Sequence, residues 1–205
     1  MTSVMAAPSV CDPQGALSAL ACGRPVVVVD DVHGRGCDLV VLAAFADVSS
    51  IATMVRHGSG LLFVTVDTDT AEHLDLPPMS WQRSPTGVGR LCVTVDAVAG
   101  TTTGISAHDR AITVATLAST DATPASFSRP GHVVPVLTGD RRETPDRATS
   151  LARIGGLAVG APGSAPPRSV AFCALTSTFD ATRIATTIED AAALGLPVVR
   201  NSAFR

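Results

Sequence analysis

Most residue types that could do chemistry stand in one short segment, 30–38 (DDVHGRGCD). Within nine residues this segment offers three carboxylates, one imidazole, one guanidinium and one thiol. Carboxylates and imidazoles transfer protons in many enzymes, and a guanidinium holds an anionic group in a bidentate fork. The segment therefore favours proton-transfer chemistry on a small substrate that carries negative charge or a carbonyl group.

A second group of polar residues forms the glycine–threonine loop 100–106 (GTTTGIS). Loops of this kind expose backbone N–H groups that suit a phosphate, so Thr101, Thr102 and Thr103 are candidate anion ligands. The alternative is that the same residues only form a turn.

The elements that must position these residues alternate between strands and helices. Apolar runs predict strands at 25–29, 61–66, 90–95, 132–137, 169–175 and 196–200. Helical periodicity and capping residues predict helices at 12–21, 48–57, 68–74, 108–118, 144–154 and 182–194. The segment 32–38 reads as a loop because two glycines interrupt it. We expect an α/β (α+β three-layer) fold, a mixed twisted sheet flanked by helices, in a single domain over residues 1–205.

The composition excludes several classes of function. The 205 residues are 46% hydrophobic, enough for a sizeable core. All 15 basic residues are arginine, and tyrosine is absent, which excludes a Schiff-base lysine, a Walker-type phosphate lysine and a tyrosine acid. The net charge of −3 predicts neither nucleic-acid nor membrane partners.

The cysteines and the hydropathy indicate a compartment. Five cysteines without a CxxC pair argue against structural zinc and a disulfide framework, so reduced thiols are expected. There is no apolar run of transmembrane length and no pattern of a secretory signal at the N-terminus. We expect a cytoplasmic protein.

Three motifs in register resemble those of the 3,4-dihydroxy-2-butanone-4-phosphate synthase family. They are 56–60 (RHGSG) with 75–77 (DLP) after it, 100–106 leading into Asp109 and Arg110, and 129–132 (RPGH). The order and spacing agree over nearly the whole chain. Enzymes of this family convert ribulose 5-phosphate into a four-carbon phosphate and formate for riboflavin synthesis.

The resemblance implies a homodimer with active sites at the subunit interface. The histidine of the RPGH motif, here His132, would reach into the neighbouring subunit's site. The family chemistry also uses a divalent metal, which polarises substrate oxygens.

The chain departs from the family where the metal is held. The family's acidic loop carries two glutamates, one of them a metal ligand, and the shorter loop 30–38 has neither. Arg141 stands where the family has a metal-binding histidine, and Ala174 stands where it has a further glutamate. An arginine stays protonated and offers no lone pair to a metal.

These departures lead to our main hypothesis, a divergent and metal-independent lyase, isomerase, dehydratase or cyclase of specialised metabolism. In this hypothesis the riboflavin-pathway reaction is lost, and neither a cofactor nor a metal is expected. The candidate catalytic residues are His132, Asp38, His33 and Cys37. The candidate substrate-binding residues are Arg35, Arg56, Thr101, Thr102, Thr103, Asp109, Arg110, Arg141 and Arg142.

Two alternatives stay open. One is a catalytically dead homologue that acts as a binding or scaffolding dimer; we favour an enzyme because His132 keeps its motif. The other is a true synthase with a displaced metal site. Its manganese or magnesium ligands would be Asp30, Asp31, His33 and Asp38.

Overall fold

The structure is a computed structural model that describes residues 10–80, 87–139, 145–160, 169–180 and 182–204. The strands are β1 (Val26–Val29), β2 (Cys37–Leu42), β3 (Leu62–Val66), β4 (Arg90–Leu91), β5 (Val95–Ala97), β6 (Phe127–Leu137), β7 (Val170–Ala174) and β8 (Val198–Arg200). The helices are α1 (Pro13–Ala21), α2 (Val48–His57), α3 (Thr68–His73), α4 (Ala107–Leu117), α5 (Arg147–Val159) and α6 (Ile188–Ala192).

The strands form one mixed sheet with the order β4-β6-β3-β7-β2-β1-β8, and β5 pairs with β6 beside this path. The pairs β1–β8 and β3–β6 are parallel, and the other pairs are antiparallel. Crossover connections and a hairpin therefore occur in the same sheet, which is the mixed sheet that the sequence predicts.

Helices cover both faces of the sheet. On one face, the core contains apolar residues of α2, α3, α4 and α6. On the other face, the core contains apolar residues of α1 and α5. β1, β2 and β3 are buried on both sides, which explains why β1 and β3 read as continuous apolar runs. The three-layer architecture is confirmed.

Side-chain caps fix where the helices that carry polar residues begin. Asp47 accepts a hydrogen bond from the backbone N–H of Ser50 at the start of α2. Ser106 accepts from Asp109 at the start of α4, and Asp146 accepts from Thr149 at the start of α5. Each cap satisfies an N–H group that the helix itself leaves without a partner.

Three predictions of local structure are wrong. The strand predicted over 90–95 is divided, because β4 ends at Leu91 and β5 begins at Val95. The segment 32–38 is not all loop, because Cys37 and Asp38 begin β2 and pair with Val29 and Val28. The helix predicted over 182–194 is confined to α6, because Thr187 caps it. No helix among the described residues is long and apolar enough to cross a membrane.

Candidate functional site

The β1–β2 hairpin places two carboxylates on one face of the sheet. Asp38 lies opposite Val28 in the β1–β2 ladder, and Asp30 lies two residues beyond Val28, on the same side. Two pairs lie at this end of the hairpin, Asp30 with His33 and Asp38 with Arg147 from the first turn of α5, and the charge of Asp30 acts on Asp38. We call these four residues the hairpin cluster.

Arg147 forms a bidentate ion pair with Asp38. The Nε of Arg147 donates to Oδ2 of Asp38, and Nη2 donates to Oδ1, so that one guanidinium meets both carboxylate oxygens. The Asp38 side chain is 2% exposed and the Arg147 side chain is 11% exposed. Burial raises the pKa of Asp38 to about 6, although the Arg147 guanidinium acts in the opposite direction.

The two oxygens of Asp30 differ in their surroundings. Its Oδ1 accepts hydrogen bonds from the backbone N–H groups of Val32 and His33 at 3.3 and 3.1 Å. Its Oδ2 and the Nδ1 of His33 are buried without a hydrogen-bond partner among the described residues. Nδ1 lies 3.4 Å from Oδ1 of Asp30, an electrostatic contact without the geometry of a hydrogen bond.

The other candidates in the segment 30–38 have different surroundings. The Nη1 of Arg35 donates to the carbonyl of Gly87 at 2.9 Å, and the N–H of Arg147 donates to the same carbonyl at 3.1 Å. Arg35 therefore lies beside the start of α5. Cys37 is fully buried, and burial raises the pKa of its thiol to about 12, which argues against a reactive thiolate.

His132 belongs to a second cluster, at the start of the regular part of β6. Its backbone N–H donates to Oδ1 of Asp96 at 2.9 Å, and its Nδ1 lies 2.8 Å from Oδ2 of the same residue. A carboxylate only accepts, so in the neutral ring Nδ1 carries the proton and Nε2 carries the lone pair. The imidazole is 40% exposed, whereas the carboxylate is 11% exposed.

The glycine–threonine loop supports this pair. Gly104 has a φ of +82°, and a Cβ there would lie 2.0 Å from Oδ2 of Asp96 and 2.8 Å from Nδ1 of His132. Asp109 holds the loop in place, because it accepts from the hydroxyl of Thr102 and the N–H of Gly104, both at 2.9 Å. Asp96, His132, Gly104, Thr102 and Asp109 are hereafter called the His132 corner.

The remaining polar candidates separate into three kinds. Thr101 donates its hydroxyl to the carbonyl of Ala97, whereas the side chain of Thr103 is exposed. Arg110 is buried and donates to the carbonyls of Ile105 and Gly60, so it ties two loops together. Arg56 is exposed in the last turn of α2, and Arg141 and Arg142 lie outside the described residues.

The two clusters do not meet within one chain. His132 lies on β6 and Asp38 on β2, and β3 and β7 run between them. Three strand spacings separate the two backbones by roughly 14 Å. At this backbone separation, His132 and Asp38 form no direct hydrogen bond with each other in the chain.

The donor atoms decide what could hold a metal ion. Among the described residues, no group of three or more His, Cys, Asp or Glu side chains could do so. Asp38 is taken by Arg147, and Asp31 accepts from the N–H and the hydroxyl of Ser202 at 2.9 and 2.5 Å. Of the four ligands hypothesised for a displaced site, only Asp30 and His33 have a donor atom without a hydrogen-bond partner in the described part of the chain.

Those two donors still fit a divalent ion of the magnesium type. Such an ion keeps several waters and takes only one or two protein carboxylates, with substrate oxygens completing its shell. A buried carboxylate oxygen without a partner is unfavourable, and a bound cation would remove that cost.

Sequence reasoning missed two residues, Arg147 and Asp96. Arg147 acts on Asp38 across 109 positions of the chain, and nothing in its neighbourhood forms a motif. Asp96 had a signal that could have found it, since it is an acidic residue directly after the predicted strand 90–95, and a buried acid needs a partner.

Comparisons with known proteins decide the family. The model of the 3,4-dihydroxy-2-butanone 4-phosphate synthase family matches residues 14–202. The chain belongs to this family. The match includes every described element from α2 to β8 and both clusters.

Individual relatives agree with the family match. The riboflavin biosynthesis protein RibBA of Salinispora tropica is 41% identical over 148 residues, which are 69% of this chain and 37% of that protein. The chain therefore spans little more than a third of that relative. The 3,4-dihydroxy-2-butanone 4-phosphate synthase of Candida albicans has a similar structure, with a TM-score of 0.80, 27% identity and 95% of both chains covered.

A further synthase structure bears on the metal. It is a 3,4-dihydroxy-2-butanone 4-phosphate synthase in complex with two magnesium ions, with a TM-score of 0.77, 29% identity and 93% of both chains covered. Our expectation of no metal or cofactor is contradicted by this relative.

The main functional hypothesis is also wrong. An enzyme of specialised metabolism outside riboflavin synthesis does not agree with a family match over nearly the whole chain and with synthase structures that cover it almost completely. The error came from treating the absent glutamates as the loss of the reaction. The alternative of a true synthase agrees better with these findings.

Proposed function

We propose that this chain is a 3,4-dihydroxy-2-butanone 4-phosphate synthase, which converts ribulose 5-phosphate into a four-carbon phosphate and formate. The observation that carries the proposal is the likeness to a synthase of this name over 95% of both chains. Its substrate is thus a small molecule that is both anionic and carbonyl-bearing, in agreement with the polar groups of both clusters.

His132 is the proposed proton carrier. Asp96 fixes the ring through Nδ1, which leaves the lone pair on Nε2 of a partly exposed imidazole to take a proton from a substrate carbon or hydroxyl. Asp96 is a positioning residue, because its contact is to the imidazole and not to substrate.

The hairpin cluster is the proposed binding site for the carbonyl and hydroxyl oxygens of the substrate. Asp30 and His33 are the residues that would hold a divalent ion, which, when bound, polarises carbonyl and hydroxyl oxygens. Arg35 lies beside α5 and can pair with the substrate phosphate. Thr103 is the proposed substrate contact of the threonine loop, because its side chain is exposed, whereas the hydroxyls of Thr101 and Thr102 donate to Ala97 and Asp109.

The proposal includes a homodimer, and the separation of the clusters supports it. Roughly 14 Å lies between β6 and β2 in one chain, and in the proposed dimer His132 of one subunit faces the hairpin cluster of the other. The proposal includes a single domain over residues 1–205 and a cytoplasmic location, which suits five cysteines that are all free thiols.

Formate release from ribulose 5-phosphate tests the function. The reaction is followed with added magnesium or manganese, and again after treatment with a chelator. We expect formate only when the ion is present, and its loss in His132→Ala. Absence of formate under every metal condition would overturn the proposal and leave the dead homologue.

A further inference from the structure

The two carboxylates of the hairpin cluster are in opposite situations. Both oxygens of Asp38 receive N–H groups from one guanidinium, whereas Oδ2 of Asp30 has no hydrogen-bond partner among the described residues. The Arg147 guanidinium thus supplies a cation to Asp38, whereas Oδ2 of Asp30 contacts no cation in the described part of the chain.

We propose that each chain binds a single divalent ion, at Asp30 and His33, and that the Arg147 guanidinium is the fixed second cation of the site. The inference rests on the proposed function, and it concerns how many ions this chain takes and where. The relative described above holds two magnesium ions.

The exclusion of an ion from Asp38 follows from the contacts. The bidentate pair engages both carboxylate oxygens, and a guanidinium has no lone pair to offer a metal. Asp38 is 2% exposed at its side chain, so an ion could reach it only by displacing the guanidinium from a buried position.

The single site follows from the donors that remain. Asp30 is 6% exposed, and two backbone N–H groups hold its Oδ1, which directs the free Oδ2 into the protein. The Nδ1 of His33, also buried and without a hydrogen-bond partner among the described residues, lies on the same turn. Asp31, the neighbouring carboxylate, is held by Ser202 instead.

The arrangement keeps positive charge at two points of the cluster. A guanidinium carries one charge where a divalent ion carries two, but it cannot dissociate. The positive charge at Arg147 is therefore present at every ion concentration.

Manganese binding to the purified full chain tests the inference without any turnover. Isothermal titration gives the number of ions per chain, and the electron paramagnetic resonance signal of free Mn²⁺ gives an independent count. We expect one ion per wild-type chain. We expect Asp30→Asn to weaken binding about tenfold or more, and the neighbouring Asp31→Asn to leave it unchanged.

Arg147 variants test the second half of the inference. Arg147→Met should raise the count to two ions, because Asp38 then lacks its cation. Arg147→Lys and the double variant Asp38→Asn/Arg147→Met should stay at one ion, as should Arg153→Met on the exposed side of the same helix. If Arg147→Met does not fold, the number of ions per wild-type chain and the binding to Asp30→Asn still test the inference.

Every result bears on the inference separately from the function. Two ions per wild-type chain, no binding at all, unchanged binding in Asp30→Asn, or a single ion in folded Arg147→Met would each overturn it. Formate release with a count of two keeps the function and rejects the inference. One ion per chain without formate release keeps the inference and rejects the proposed function.

Discussion

The His132 corner and the hairpin cluster solve the same problem, a buried carboxylate, in different ways. In the corner, Asp96 accepts two hydrogen bonds from His132, and Gly104 leaves room for them. In the hairpin, Asp38 is neutralised by a guanidinium, and Asp30 keeps an oxygen without a hydrogen-bond partner in the described part of the chain. The corner is complete as it stands, whereas the hairpin is arranged for a further cation.

The comparison explains why one region keeps the family motif and the other does not. In the corner, steric contact dictates the residues, since no Cβ fits at Gly104 or at Gly131. In the hairpin, the requirement is positive charge near carboxylates, which an arginine or an ion can meet. Motif loss in the hairpin is therefore weak support for loss of the reaction.

Removal of His132 should have the largest effect on activity. His132→Ala should lower kcat about 10²- to 10⁴-fold, because the proton carrier is gone. Steady-state formate release measures it, with His108→Ala, an exposed histidine of α4, as the control. An unchanged kcat in His132→Ala would show that the His132 corner takes no part in the reaction.

Removal of Arg147 should have the largest effect on stability. Arg147→Met leaves a buried carboxylate without its cation and should reduce the free energy of unfolding by about 3–5 kcal/mol. Urea denaturation measures it. Asp38→Leu/Arg147→Met should recover most of the loss, and Arg153→Met should change stability by less than about 0.5 kcal/mol. A loss in Arg153→Met equal to that in Arg147→Met would mean that the pair is unimportant.

The raised pKa of Asp38 predicts a pH dependence of known sign. Its pKa is about 6 in the fold and about 4 in the unfolded chain, so the folded state binds the proton more tightly. The associated stability is present below about pH 4 and is lost as the pH rises through 6, by up to about 3 kcal/mol. The difference between wild type and Asp38→Asn in chemical denaturation at pH 4 to 7 isolates this contribution. A difference independent of pH would contradict it.

A smaller loss is expected at Gly104. Gly104→Ala combines a positive φ with a clash against Asp96 and should cost about 1–3 kcal/mol and lower kcat. Gly60→Ala is the matched control, because its φ is +80° but no atom lies within 4 Å of the added Cβ. Equal effects of the two substitutions on kcat would show that strain, and not the fit to His132, matters.

Local patterns were sufficient for most of the fold. The run 25–29 and the helix 48–57 were predictable because apolar periodicity and a capping aspartate act within a few residues. The strand containing Asp38 was missed, because a buried charge in a polar segment looks like a loop residue. Its burial depends on Arg147, which is distant in sequence.

The candidate site was predictable only in part. His132 and the threonine loop could be singled out through their motifs, but Asp96 and Arg147 could not, because their roles arise from contacts across the sheet. The same limit explains the wrong conclusion about the metal. Residue types alone do not show which carboxylate oxygens are already occupied.

Subunit complementation tests most directly the claim that the two regions form one site across two chains. Asp30→Asn and His132→Ala are co-expressed with different affinity tags, and the mixed dimer is isolated through both tags. One of its two sites then has a wild-type hairpin cluster and a wild-type His132, so its formate release should approach about half that of the wild-type dimer. An isolated mixed dimer as inactive as its parents would contradict the account.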